Sequence, residues 1–98
     1  MTAIHPPRTG AIETELDELF RDREHLLRAT PSPARSHLLA DLFDHEAWLW
    51  STLFETTRSR LMWRAALVAQ AHARVSARSW RRHAATQAPA ALRRAGAA

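Results

Sequence analysis

No glycine or proline stands between Pro33 and Pro89. These are the residues that most reliably interrupt a helix, proline by removing a backbone donor and glycine by its conformational freedom. The segment between them is rich in Ala, Leu, Arg and Glu, all strong helix formers. So long an unpunctuated run in a chain of 98 residues predicts an all-α fold. Its simplest form is a helical hairpin with a short helix 1 over about 11–29 and a long helix 2 over about 33–85. At about 1.5 Å per residue, helix 2 would reach roughly 80 Å. Its one weak point is Glu55-Thr56-Thr57-Arg58-Ser59, where β-branched and polar residues cluster. A break near Thr57 would give the alternative, a three-helix bundle.

The hairpin turn is written in Thr30-Pro31-Ser32-Pro33. Pro31 disfavours helical geometry at Thr30. Ser32 is a good N-cap, and Pro33 suits the first helical position because no N–H is needed there. A connection this short predicts antiparallel neighbours. Helix 1, with Thr9 or Gly10 near its N-cap, carries Ile12, Leu16, Leu19, Phe20, Leu26 and Leu27 at the spacing of one apolar face. Glu13, Glu15, Asp17 and Glu18 crowd its first two turns, where the helix dipole favours negative charge. Arg23 falls on the apolar face with no partner evident from the sequence. Residues 1–10, with Pro6 and Pro7, read as a flexible arm, 11–85 as a single helical domain, and 86–98 as an Ala-rich flexible tail.

One arc of helix 2 collects Leu38, Leu39, Leu42, Phe43, Leu49, Trp50, Leu53, Phe54, Leu61, Leu67, Val68 and Val75. Helix 1 is long enough to cover this arc only to about Leu53. Leu61, Trp63, Leu67, Val68 and Val75 would then face solvent, and an exposed apolar stripe of that length marks an interaction surface. With a break near Thr57, helix 3 would instead fold back and cover them. Glu46 and Arg64 interrupt the stripe. Two copies of helix 2 crossing antiparallel near Glu55 would set Glu46 of one against Arg64 of the other, a coiled-coil-like homodimer. The expected protein interface is therefore Glu46, Leu49, Trp50, Leu53, Phe54, Leu61, Trp63, Arg64, Leu67 and Val68.

Charge is divided sharply along the chain. Every basic residue is arginine; residues 1–57 hold all ten acids and five arginines, and residues 58–98 hold nine arginines and no acid. Such asymmetry suggests an anionic partner or pairing of one half with the other. Arg74, Arg78, Arg81 and Arg82 with Trp80 are candidate nucleic-acid contacts, since arginine binds phosphates in bidentate fashion and tryptophan stacks on bases. Against this, the arginines read as spread around the helix, and no base-reading motif accompanies them. A basic helix with Trp48, Met62 and Trp80 also fits a membrane surface.

Other chemistry finds less support. His37, Asp41 and His45 recur every fourth residue with Asp44 nearby, a spacing seen in helical metal sites, but only His25 could add a ligand from helix 1. That side reads as a solvated polar face, so no metal or cofactor is expected. The two glycines leave no phosphate-cradling loop, and no nucleophile constellation stands out. The absence of cysteine removes disulfides and thiolate chemistry and suits a reducing compartment, the cytoplasm. The N-terminus lacks an apolar leader segment, and no run approaches membrane-spanning length. The leading expectation is a non-enzymatic protein–protein interaction module, a small helical adaptor or chaperone-like subunit, with another chain or a second copy as partner. Nucleic-acid binding is the alternative, and a peripheral membrane helix the third reading.

Overall fold

The computed structural model describes residues 9–97. Most of the expected N-terminal arm, residues 1–8, and Ala98 lie outside them. Three helices follow in chain order, α1 (Thr9–Arg28), α2 (Pro33–Thr56) and α3 (Arg60–Ala97), with no strand among the described residues. The fold is all-α. The continuous helix from 33 to 85 does not form, and the chain takes the three-helix alternative, breaking at Thr57-Arg58-Ser59.

Local chemistry explains the break without glycine. Thr57 ends α2 in an extended conformation (φ −79°, ψ 145°), its N–H donating to the Leu53 carbonyl at 2.9 Å. The Thr57 hydroxyl oxygen accepts the Ser59 N–H at 3.2 Å. Ser59 then starts the next helix, its Oγ accepting the Met62 N–H at 3.3 Å and its carbonyl the Trp63 N–H at 2.9 Å. Short hydroxyl side chains thus supply bonds that compete with the helical ladder. Folding back at this point also buries surface that a single rod would leave in water.

The first turn follows the sequence reading. Ser32 caps α2 by accepting the Arg35 N–H at 3.0 Å, and Pro33 opens the helix. Ser32→Ala is expected to cost about 1 kcal/mol, read as a lower urea midpoint at unchanged slope. Arg35 reaches back to close the other side of the turn. Its Nη1 donates to the Leu27 and Ala29 carbonyls, each at 3.2 Å, which lie at the end of α1 where backbone acceptors lack helical partners. Its guanidinium also sits 5.9 Å from the Trp80 ring centroid, linking the turn to α3.

α2 is the shared packing partner of both other helices. Ile12, Leu16 and Leu19 of α1 bury against Leu49 and Leu53, with Ala66 of α3 completing that cluster. The α2–α3 seam is made differently, from small residues: Ser36, Ala40 and Ala47 on α2, and Ala66, Ala73, Ala77 and Ala84 on α3, are all buried. The Ser36 hydroxyl donates to Gln87 Oε1 at 2.5 Å and fixes the antiparallel register near the open end of the hairpin. Small side chains let two helix backbones approach closely, so contact is made with little side-chain entropy lost. α3 runs beyond the expected end near Ala85, so residues 86–97 are helical with Pro89 inside. The result is long and thin, 62 × 28 × 20 Å with a radius of gyration of 17.1 Å. A compact chain of this length would have about 13 Å, so much of α3 has no neighbour on its far side.

Candidate functional site

The stripe read from sequence is split by the fold into two parts with different fates. Its α2 part lies inside: Leu49 and Leu53 are buried, and Trp50 and Phe54 pack half-buried against them. Its α3 part lies outside: Leu61 is 77% exposed, Val68 69% and Val75 52%, with Leu67 and Trp63 also exposed. Trp63 keeps one link to the core, stacking on Phe54 with ring centroids 4.8 Å apart. The break near Thr57 was expected to let α3 cover its own apolar residues. It does not, because α3 turns its alanines toward α2. The leucine and valines therefore stay on the opposite side.

Glu46 and Arg64 are separated likewise. Glu46 is buried and bonded within the chain, its Oε1 accepting from Arg23 Nη1 at 2.5 Å and its Oε2 from Trp50 Nε1 at 2.9 Å. The Arg23 guanidinium lies over the Phe43 ring at 4.3 Å and near Phe20 at 4.9 Å. Arg23, which lacked a partner in the sequence, and Glu46, which was expected to look for one in a second copy, are each other's. The crossing near Glu55 has no continuous helix to form on, because α2 ends at Thr56. Arg64 is exposed on α3.

The arginines are more ordered than the sequence reading allowed. With the inner face of α3 defined by Ala66, Ala73, Ala77 and Ala84, residues Arg60, Arg64, Leu67, Ala71, Arg74, Arg78 and Arg82 follow one another three or four positions apart. They form a single ridge along the exposed side. Leu61, Val68 and Val75, seven apart, run beside it. Among the described residues none of Arg60, Arg64, Arg74, Arg78 and Arg82 has an ion-pair partner. Arg81 differs. It pairs with Asp44 and, at 3.5 Å, with Asp41 of α2. Its hydrogen bond to Asp44 raises its pKa above the ordinary arginine value. Trp80 is half-buried, lying under Arg35 and edge-on to His83 at 5.6 Å. Two of the five candidate nucleic-acid contacts are thus engaged within the fold.

An open cleft of about 380 Å³ caps this surface at the α2–α3 turn, lined by Thr57, Arg58, Ser59, Arg60, Trp63 and Arg64. Its lining holds three guanidinium groups and no acid. On α2, the carboxylates of the His37-Asp41-Asp44-His45 group face Arg81, and His45 lies 6.2 Å from the exposed Trp48 ring. No group of three or more metal-capable side chains converges among the described residues. No described helix is long and apolar enough to cross a membrane.

The inner face of α3 could have been found from sequence by following alanines rather than leucines. Ala66, Ala73, Ala77 and Ala84 keep the seven-and-four spacing of a helix seam. The chain matches no protein-family model, no curated protein and no solved structure.

Proposed function

We propose that the chain is a non-enzymatic protein–protein interaction module, acting through the outer face of α3. The observation that carries this reading is the exposure of Leu61, Val68 and Val75 at every seventh position on a helix already packed by its other side. Isolated apolar side chains on a surface are ordinary, but a regular row along one helix is the pattern by which helices bind helices. The α2 residues of the expected interface, Leu49, Trp50, Leu53 and Phe54, belong to the fold in this reading. Leu61, Trp63, Arg64, Leu67 and Val68 belong to the interface, and Val75 joins them. The setting is the cytoplasm, where a chain without cysteine lacks nothing it needs.

The test is a photo-crosslinking residue placed at Val68 and, as a control, at His37 on the exposed side of α2, in the cells that make the protein. A discrete protein adduct is expected from position 68 and none from 37. Leu61→Asp should remove it, since losing an apolar anchor of this kind weakens association by about 30-fold. The same change should move stability by less than about 0.5 kcal/mol, because the site is exposed. An unchanged adduct in Leu61→Asp, or none at all from position 68, would overturn the reading.

A further inference from the structure

We propose that the occupant of the outer α3 face is an acidic amphipathic helix of another protein, with apolar residues recurring every seventh position and carboxylates along one side of them. The proposal rests on the interaction reading above and names the chemistry of the partner. Leu61, Val68 and Val75 form one row; Arg64, Ala71 and Arg78 flank it on one side, and Arg60, Leu67 and Arg74 lie beyond them. Arg82 continues the first row after Val75. An apolar line bordered along one side by one sign of charge is the half of a helix pair whose other half carries the opposite sign along the matching side. Guanidinium groups match carboxylates in a fixed, bidentate fork, which a row of lysines would not provide. From Arg60 to Arg82 the face is about 33 Å long at about 1.5 Å per residue, the length of a partner helix of about 22 residues.

Charge complementarity also separates this occupant from the others. A second α3 would bring arginines against arginines, because α3 contains no acid. The α1 helix of a second copy offers carboxylates such as Glu13, Asp17 and Glu24, all exposed. However, its Ile12, Leu16 and Leu19 are buried in its own core, leaving nothing apolar to meet Leu61, Val68 and Val75. A nucleic-acid duplex would neutralise the arginines but gain nothing from the three aliphatic side chains beside them. An acidic amphipathic helix satisfies both rows at once.

The experiment titrates the full chain with a designed peptide of about 22 residues. The peptide carries leucine along one helical face and glutamate along one flank of that face. The comparison is an isomer of identical composition whose leucines share no face. The patterned peptide is expected to bind at least about ten-fold more tightly than the isomer. Val68→Asp and Val75→Asp should each remove that preference. Arg64→Gln with Arg78→Gln and Arg82→Gln should weaken binding and flatten its salt dependence. All these positions are exposed, and far-UV circular dichroism checks that the helices persist. Equal binding of both peptides would reduce the surface to a plain ion exchanger and overturn the proposal. So would tighter binding of a short DNA duplex that is indifferent to Val68→Asp. If position 68 crosslinks a protein while the patterned peptide fails to bind, the interaction reading stands and the acidic helix falls.

Discussion

Arg23→Met is expected to destabilise the fold by about 3 kcal/mol, the lower end of the range for breaking a buried pair from one side. The reason lies with Glu46 more than with Arg23. Glu46 is 7% exposed, and its Oε1 has Arg23 as its hydrogen-bond partner. Removing the guanidinium leaves a carboxylate in an apolar setting with only the Trp50 N–H to hold it. The methionine keeps much of the apolar stem that packs near Phe20 and Phe43, so the loss reports the charge rather than the packing. Arg23 retains some solvent access, which places the figure at the low end. The double change Arg23→Met with Glu46→Leu should recover most of the stability, since an apolar pair of similar volume avoids desolvating two charges. Urea unfolding of the three variants reads both effects. If Arg23→Met costs less than about 1 kcal/mol, in the range of an exposed pair, then Glu46 is solvated in solution and the α1–α2 packing is looser than described.

Ala73→Leu combined with Ala77→Leu should be at least as damaging, at about 4 kcal/mol for the pair, because overpacking costs about 1–3 kcal/mol at each site. Ala73 is fully buried and Ala77 is 1% exposed, on a seam where α3 meets Ala40 and Ala47 of α2. Two isobutyl groups cannot enter without pushing the helices apart. Separation would also strain the Ser36–Gln87 hydrogen bond and the Arg81–Asp44 pair, which lie on the same hairpin. The matching control, Leu67→Ala with Val68→Ala, removes larger apolar groups yet should change stability by less than about 0.5 kcal/mol, since both are exposed. Thermal unfolding followed by circular dichroism compares the pairs. A simple hydrophobicity ranking predicts the reverse order, so the experiment tests directly which face of α3 points inward.

The reversal shows where the sequence was legible. Helix 1 and the start of α2 form where composition and punctuation placed them, and Thr30-Pro31-Ser32-Pro33 makes the expected turn with Ser32 as its cap, whereas α3 runs past the expected end near Ala85 and through Pro89. The α1 face of Ile12, Leu16 and Leu19 packs as its spacing implied. Signals of this kind are local: a cap, a missing donor or a periodic face acts within a few residues of itself. The Thr57 break was visible as a weak point. It could not be decided locally, because a helix of good formers continues through two threonines unless something is gained by turning. What is gained is the α2–α3 seam, formed by residues far apart in the chain.

The charged residues carry the same lesson. Arg23 and Glu46 both looked misplaced, each on an apolar face, and the fold places them within 2.5 Å of one another. Arg81 belonged to a basic run, yet it answers Asp44 and Asp41 across the hairpin, while Arg60, Arg64, Arg74, Arg78 and Arg82 remain without ion-pair partners among the described residues. Which arginines are available to a partner was therefore hidden until α3 had an inside and an outside.

By itself the sequence determined the helical class, the Pro-Ser-Pro turn, the segregation of acid from base and the presence of an apolar row on the C-terminal helix. Tertiary structure alone decided that the chain turns at Thr57 and that α3 faces inward through alanine. Hydrophobicity ranks residues one at a time, whereas packing depends on how closely two surfaces can approach, and here the small side chains allow the closer fit. The larger ones, Leu61, Val68 and Val75, are left outside among the arginines for that reason.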